Sequence, residues 1–280
     1  MIQLGIRFHD TKELPFEERL AEAKSQGFSC IHLALSKVPG FTADTDALTP
    51  GYAMYIKNAA AKAGLDVAVL GCYLNLANPN AEKLLQIQEK YYAHLRFASI
   101  LGCGMVGTET GAPNEAYAYD KEACHSKEAL ETFITNLRPV IECAEKFGVI
   151  FAIEPVYRHI VYDAKRAREV LDRIGSPNLK IIFDPVNLIW TDNFEQRQEV
   201  IDEAIDILGK DIAMIHLKDC ILETDSVKSV GCGFGVMDYR NIIRFALEKK
   251  PFIHATLENT KPETAVQSRK IIEDVIEGLI

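Results

Sequence analysis

Several features that would place the chain in a common class of protein are missing from its sequence. No CxxC pair occurs, and the seven cysteines are scattered and odd in number. This pattern argues against a disulfide framework or a thiolate metal site and predicts free thiols in a reducing cytosol. No apolar run approaches membrane-spanning length. Met1 leads directly into a strand-like segment without a basic region before it, so we expect a cytoplasmic protein with no signal peptide.

Basic runs are also absent, and the charge balance is acidic. The chain has 31 Lys and Arg residues against 40 Asp and Glu residues, which gives a formal net charge of -9. Because an acidic surface repels phosphate backbones, we expect neither nucleic acid nor an anionic membrane as a partner. Acidity does not disfavour a small sugar.

Apolar sequence, in contrast, is sufficient for one large core. The chain has 280 residues, of which 48% are hydrophobic and 25% charged. This composition argues against disorder. Neither a linker nor a low-complexity segment interrupts it, so residues 1–280 are predicted to form a single domain.

Short apolar runs alternate with longer helical stretches along the whole chain. The runs are rich in Val, Ile and Leu, as expected for parallel strands covered by helices. Six helical stretches end at a glycine just before the next run, which is a common helix stop. The predicted strands span residues 2–8, 30–35, 66–73, 104–109, 149–154, 180–184, 212–218 and 252–258, and the predicted helices span residues 15–26, 51–63, 81–100, 127–147, 164–174, 195–208, 238–249 and 262–279.

Eight strand–helix units predict an α/β fold, a single (β/α)8 TIM barrel. The alternative, an open doubly wound sheet, would place a glycine-rich phosphate loop after the first strand. The sequence there, from Arg7 to Thr11, contains no glycine. The longest irregular stretches, residues 36–50, 110–126 and 220–237, follow strands, on the side where barrel loops build active sites.

Four successive predicted strands end on an acidic or imidazole side chain. A charge at the end of a buried strand is costly unless it is neutralised. For any one of these residues, a helix cap or a lysine partner would be an ordinary explanation. Together, however, they place three carboxylates around the barrel axis, where a divalent cation would remove their repulsion. The four residues are Glu154, Asp184, His216 and Glu258.

Short motifs surround these residues. They are Ile153-Glu154-Pro155, Phe183-Asp184-Pro185, His216-Leu217-Lys218-Asp219, the glycine-rich turn Gly231–Gly235 before Met237-Asp238-Tyr239, and Leu257-Glu258-Asn259. With them, nearly the whole chain resembles the sugar phosphate isomerase/epimerase superfamily, the xylose isomerase-like TIM barrels. That group includes ketose 3-epimerases of the D-tagatose and D-psicose type, inosose dehydratases, hydroxypyruvate isomerases and, more distantly, endonuclease IV.

The resemblance implies that Glu154, Asp184, His216 and Glu258 bind one divalent ion. Three carboxylates and one imidazole suit Mn2+ best, with Mg2+, Co2+ or Zn2+ as alternatives. The endonuclease IV branch would require many more histidines and a three-zinc cluster. We therefore expect no role in DNA repair.

The resemblance also implies a reaction, in which the metal chelates a ketose and makes a neighbouring C–H acidic. One glutamate removes the proton as general base, and the other returns a proton on the opposite face. Glu154 and Glu258 are accordingly the candidate catalytic pair. The alternative is that both are only ligands and that the base lies elsewhere.

Two candidate substrate-binding residues lie near this set. Lys218 alternates with His216 in its strand and therefore points to the same side. It could contact a substrate oxygen or form a salt bridge with Asp219 or Glu258. Asn187 lies where the epimerases tend to have a histidine that touches the substrate, so the resemblance does not transfer an exact substrate.

Three further candidates have equally open roles. Arg158 follows the fifth strand and could bind a carboxylate or hydroxyls, or lie on the surface. Glu109 ends the fourth strand and could bind substrate, orient a ligand or anchor a loop. His32 is either a core histidine or a contact at the barrel mouth. Trp190 and Phe8 could form an apolar wall for a sugar or belong to the core.

The sequence therefore predicts a metal-dependent isomerase or epimerase acting on a ketose or related small polyol. One alternative is a lyase on the same scaffold, either inosose dehydratase-like or C-glycoside-cleaving. The other is a non-catalytic sugar-binding barrel, against which the intact ligand set argues. Few Arg or Lys residues are expected near the mouth, which disfavours a phosphorylated substrate. Relatives are commonly oligomers, so a homodimer or a homotetramer is expected.

Overall fold

Eight parallel strands form a closed barrel in the computed structural model, which describes residues 1–280. Two short strands, β8 (Asp219–Leu222) and β9 (Val227–Val230), form a separate antiparallel hairpin. The strands are β1 (Gln3–Arg7), β2 (Cys30–Leu33), β3 (Asp66–Gly71), β4 (Met105–Glu109), β5 (Ile150–Glu154), β6 (Leu179–Phe183), β7 (Ile212–Leu217), β8 (Asp219–Leu222), β9 (Val227–Val230) and β10 (His254–Leu257). The order around the barrel is β1-β10-β7-β6-β5-β4-β3-β2. This closed ring confirms the (β/α)8 TIM barrel and excludes the open doubly wound sheet.

Helices follow the barrel strands and cover them. Helix α5 shows how the sequence defines their ends: Ser126 Oγ accepts from the backbone N–H of Ala129, and Gly148 ends the helix in the left-handed region with φ of 64°. Both are common helix-end devices. The helices are α1 (Phe16–Ser25), α2 (Pro50–Ala63), α3 (Ala81–Leu101), α4 (Lys121–Cys124), α5 (Lys127–Phe147), α6 (Ala164–Ile174), α7 (Arg197–Leu208), α8 (Arg240–Lys249) and α9 (Ala265–Glu277). None of them combines the length and apolar character needed to span a bilayer.

A small apolar cluster packs separately from the main core. Its buried members come from β2 to β7, as expected for side chains that fill a barrel interior. Gly107 of β4 belongs to this packing, because a Cβ there would lie 2.6 Å from Ile182 Cδ1 and 2.9 Å from Val69 Cγ2. The cluster consists of Cys30, Ala68, Val69, Met105, Ala152, Ile182 and Met214. These side chains give the barrel an apolar interior.

Each predicted strand overlaps an observed one, but two predicted irregular stretches contain regular structure. Residues 110–126 include α4, and residues 220–237 include most of the β8–β9 hairpin. The predicted strand at residues 30–35 ends earlier, at Leu33, because a 3-10 turn begins at Leu35. These differences add structure around the predicted active-site end.

Candidate active site

The four strand-end residues lie on one continuous arc of the barrel. Glu154 is the last residue of β5, Asp184 follows β6, His216 is in β7 and Glu258 follows β10. These strands are neighbours in the ring. All four side chains are buried, with residue exposures between 0% and 4%. Burial of several charges at one place requires mutual neutralisation.

His216 connects the acidic residues. Its Nδ1 lies 3.2 Å from Glu258 Oε1 and 3.4 Å from Glu154 Oε1. The ligand atoms of Glu154, Asp184 and His216 lie within 4.8 Å of one another, and those of His32, His216 and Glu258 form a second such group. The two groups share His216. The structure therefore brings the predicted ligands together and adds His32 to them.

Two cations partly neutralise the acidic cluster. Lys218 Nζ lies 2.8 Å from Asp184 Oδ2 and 4.0 Å from Glu258 Oε2. Arg7 Nη1 donates to Glu258 Oε2 at 3.1 Å. The closest salt bridge of Lys218 is thus with Asp184, which sequence reasoning did not consider.

Asn187 lies between the carboxylate of Glu154 and the ammonium group of Lys218. Its Nδ2 donates to Glu154 Oε1 at 2.6 Å, and its Oδ1 accepts from Lys218 Nζ at 2.7 Å. These two contacts fix the orientation of the amide. Asn187 therefore orients the Glu154 carboxylate.

His32 contacts the same centre. Its Nδ1 lies 3.2 Å from Glu258 Oε1, and its Nε2 lies 2.8 Å from the Tyr73 hydroxyl. Its ring stacks on that of His216 at a centroid distance of 5.0 Å. His32 is therefore both a buried histidine and a contact of the acidic centre.

The charges shift the pKa values of the cluster in different directions. Burial lowers the pKa of His216, but Glu258 and Glu154 outweigh burial and raise it to about 9. Burial, opposed by Lys218, raises the pKa of Asp184 to about 6. Burial also acts to raise the pKa of Glu258, but His216 and Arg7 hold it well below its ordinary value. Glu258 is thus ionised at neutral pH.

The donor atoms fit a hard divalent cation. His216 Nε2 is buried and has no hydrogen-bond partner, and Asp184 Oδ2 is buried beside the Lys218 ammonium. Unsatisfied buried polar atoms are rare in folded proteins and suit a metal or ligand site. Three carboxylates and an imidazole are ligands that Mn2+ and Mg2+ accept.

A cavity of about 710 Å3, here called the reaction cavity, opens above this centre. Glu154 and Glu258 line it, whereas Asp184 and His216 do not. Among its other lining residues are Arg7, His32, Lys37, Lys90, Glu109, Asn187 and Lys218. The expectation of few basic residues near the mouth is therefore wrong, because Lys37 and Lys90 reach it from separate parts of the chain.

A second cavity of about 290 Å3, here called the side cavity, shares Glu109 and Asn187 with the first. Arg158 and Trp190 line it, while Phe8 is fully buried in the core. Burial and Glu154 raise the pKa of Glu109 to about 7. The remaining lining residues are Tyr117, Tyr119, Val156, Tyr157, His159, Val186, Ile189, Val227 and Ser229.

Some residues of the site were not predicted. Arg7 ends β1 just as Glu154 ends β5, so the strand-end pattern contained a signal for it. Tyr73 and His159 gave no comparable signal, because only the fold brings them to His32 and Glu109.

Buried carboxylates and an imidazole at the carboxyl ends of a parallel barrel define a (β/α)8 barrel with a candidate divalent-metal centre. Residues 20–277 match the family model described as xylose isomerase-like TIM barrel. The chain belongs to this family.

A curated relative is the probable L-ribulose-5-phosphate 3-epimerase UlaE of Mycoplasma pneumoniae. The chain is 28% identical to it over 149 residues, which are 51% of this chain and 46% of that protein. The matched stretch thus spans about half the length of the relative.

Two solved structures have the same fold. One is a D-tagatose 3-epimerase-like protein, with 18% identity and a TM-score of 0.76 over 99% of this chain and 98% of that chain. The other is a xylose isomerase-like TIM barrel protein from Mycobacterium smegmatis in complex with magnesium, with 16% identity and a TM-score of 0.71 over 99% of this chain and 95% of that chain. At these identities the similarity establishes the fold alone.

Proposed function

We propose that the protein is a divalent-metal-dependent sugar isomerase or epimerase that moves a proton next to a keto group. One observation carries the proposal: three buried carboxylates and His216 meet at neighbouring strand ends, and two of the acids, Glu154 and Glu258, line the cavity above. The family and its named sugar epimerases support the same function.

Glu154, Asp184, His216 and Glu258 would hold the ion, which we propose to be Mn2+, with Mg2+, Co2+ or Zn2+ as alternatives. The chemistry that a bound divalent ion supplies is polarisation of the sugar carbonyl, which acidifies the adjacent C–H. Asp184 and His216 do not line the cavity, so in this proposal they serve only as ligands.

Burial acts to raise the pKa of Glu154, but His216 outweighs burial and lowers it, as it does for Glu258, so the two glutamates differ in their contacts and not in the direction of their pKa shifts. Glu258 contacts His216, His32 and Arg7, and these partners keep it ionised, so it is our candidate for the base. Glu154 accepts a hydrogen bond from Asn187 and is our candidate for the group that returns the proton. Return from the opposite face would give an epimer.

Solvent deuterium uptake tests this proposal. Mn2+-loaded protein in D2O would be given ketohexoses, ketopentoses, their phosphates and inososes, and the position of the label would be read. We expect label beside the carbonyl, and a loss of about 100-fold or more in rate for Glu154→Gln and Glu258→Gln. The matched control is Glu248→Gln on the outer face of α8, which should exchange like the parent.

The outcomes separate the alternatives. New epimers or aldoses identify the isomerisation, whereas loss of water from the product identifies a lyase. Metal binding without label on any sugar would refute the proposal for these substrates and favour a sugar-binding barrel.

A further inference from the structure

Two aromatic residues of the side cavity, Tyr157 and Trp190, form hydrogen bonds with residues that do not line it. The Tyr157 hydroxyl contacts Asp192 and accepts from Lys121 Nζ at 2.9 Å. The backbone N–H of Trp190 donates to Asn193 Oδ1 at 2.7 Å. The Tyr157 and Trp190 rings are inclined by only 15°, with centroids 6.1 Å apart. A fixed aromatic wall of this kind loses little conformational entropy when a flat ligand binds.

A guanidinium group without an acidic partner lies in the same cavity. The Arg158 Cζ atom is 5.1 Å from the ring centroids of both Tyr119 and Trp190. No carboxylate pairs with it, although acidic residues outnumber basic ones in the chain. The Tyr119 hydroxyl and His159 Nδ1 are buried without hydrogen-bond partners, and Glu109 Oε2 lies 3.9 Å from His159 Nδ1, beyond hydrogen-bond distance. The two buried atoms leave hydrogen-bonding capacity free in the cavity, and Arg158 adds an exposed guanidinium group.

The two cavities are adjacent beside the reaction centre. Glu109 and Asn187 line both of them, and Asn187 contacts Glu154 directly. A substrate with one part above Glu154 and Glu258 would reach the side cavity by passing Asn187. A volume of about 290 Å3 is close to the lower limit of typical small-molecule pockets, so it can take a group of the size of one ring.

We propose that the side cavity binds a second ring of the substrate, so that the substrate is a keto sugar joined to another sugar or to an aromatic group. The face of the second ring packs on Trp190 and Tyr157, and Arg158 either donates hydrogen bonds to sugar oxygens or packs its guanidinium group against an aromatic face. Sugars and aromatic groups both present an apolar ring face that can pack on an aromatic side chain. The inference rests on the proposed function for the half of the substrate above the carboxylates.

Trp190 provides a direct test because it is the only tryptophan in the chain. Its emission would be followed in Mn2+-loaded protein during titration with methyl β-D-glucopyranoside, phenyl β-D-glucopyranoside and cellobiose, and with the corresponding α-anomers and maltose. We expect at least one two-ring compound to change the emission saturably and to bind about tenfold more tightly than the methyl glycoside. Tight binding of the phenyl compounds alone would assign an aromatic group, and tight binding of the disaccharides alone a second sugar.

Arg158→Leu should remove the preference for two rings. Arg244→Leu, which changes an exposed arginine of α8 that also lacks an acidic partner, should retain it. Circular dichroism would show that both variants fold. Equal affinity for one-ring and two-ring compounds, or no response of Trp190 to any of them, would overturn the inference. Deuterium uptake from free ketoses, measured on the same protein, reports separately on the proposed function.

Discussion

Lys218 carries much of the positive charge among the buried acids. It is itself buried and contacts Asp184 and Asn187 directly. Strand alternation predicted the side to which it points, but alternation does not say which residue of a neighbouring strand is nearest. Asp219, one of the two partners considered from sequence, instead accepts hydrogen bonds from the backbone of Cys220, Gly233 and Met237.

Replacement of this lysine tests the charge balance of the centre. Lys218→Met leaves Asp184 without its cation, so we expect the metal-free protein to lose about 3 kcal/mol of unfolding free energy. Mn2+ should stabilise the variant more than the parent, because the ion would replace the missing charge. Urea unfolding with and without Mn2+ measures both effects. Lys249→Met on α8 is the control, and equal stability of Lys218→Met and the parent would contradict the prediction.

The candidate site residues that are easiest to predict from sequence are charged or polar residues at the ends of otherwise apolar runs. Glu154, Asp184, His216 and Glu258 end apolar strands, and such a conflict is visible without a structure. Arg7 was missed although it ends a strand too, because its partner Glu258 lies 251 positions away in the chain. The roles of these residues in metal binding and catalysis stay predictions.

At the scale of elements, the regular alternation of apolar runs and helices predicts the barrel, but it does not predict the β8–β9 hairpin or α4. Strands β8 and β9 have four residues each, and every residue of β9 is either half-buried or exposed. Helix α4 is a single turn. Such short elements lack the periodic pattern on which sequence reasoning depends.

An ion-pair network connects helix and strand at the start of β7. Asp211 accepts from Arg168 of α6, and its Oδ1 accepts from Lys180 Nζ of β6 at 2.9 Å. Burial acts to raise the pKa of Asp211, but these hydrogen bonds outweigh burial and lower it. A lowered pKa stabilises the folded state at pH values above the unfolded pKa, and the contribution is lost as the pH falls through the folded value.

We therefore expect Asp211→Asn to lower the unfolding free energy by about 2 kcal/mol at neutral pH. The difference from the parent should shrink as the pH falls below the ordinary aspartate value of 3.8. Urea unfolding across this pH range is the measurement. Asp225→Asn in the exposed hairpin turn is the control, and a loss that is independent of pH would contradict the electrostatic explanation.

For the whole molecule, a bound ion would connect four strands at once. Ligands on β5, β6, β7 and β10 cannot separate without losing the ion, so binding should stabilise the entire barrel against unfolding. At free Mn2+ a hundred times its Kd, we expect about 2.7 kcal/mol of stabilisation. Thermal unfolding after chelation and after Mn2+ addition measures it, with Glu154→Gln as the weakened comparison. An unfolding midpoint unaffected by every divalent ion would argue against the metal centre.

Two further properties of the whole molecule stay predictions. They are the single domain over residues 1–280 and assembly as a homodimer or homotetramer. Sequence periodicity reports on contacts within a chain, so it could predict the barrel but offered no surface for an interface.

The residues of the candidate site come together only when the barrel closes through β1 and β10. β10 pairs with β1 on one side and β7 on the other, and Glu258 follows it directly. On the ribosome, the strands emerge in order, and the barrel stays open until this last strand is released. Glu258 then meets Arg7, which was synthesised long before it. A nascent chain therefore has no complete centre. The centre is complete only in molecules whose barrel has closed.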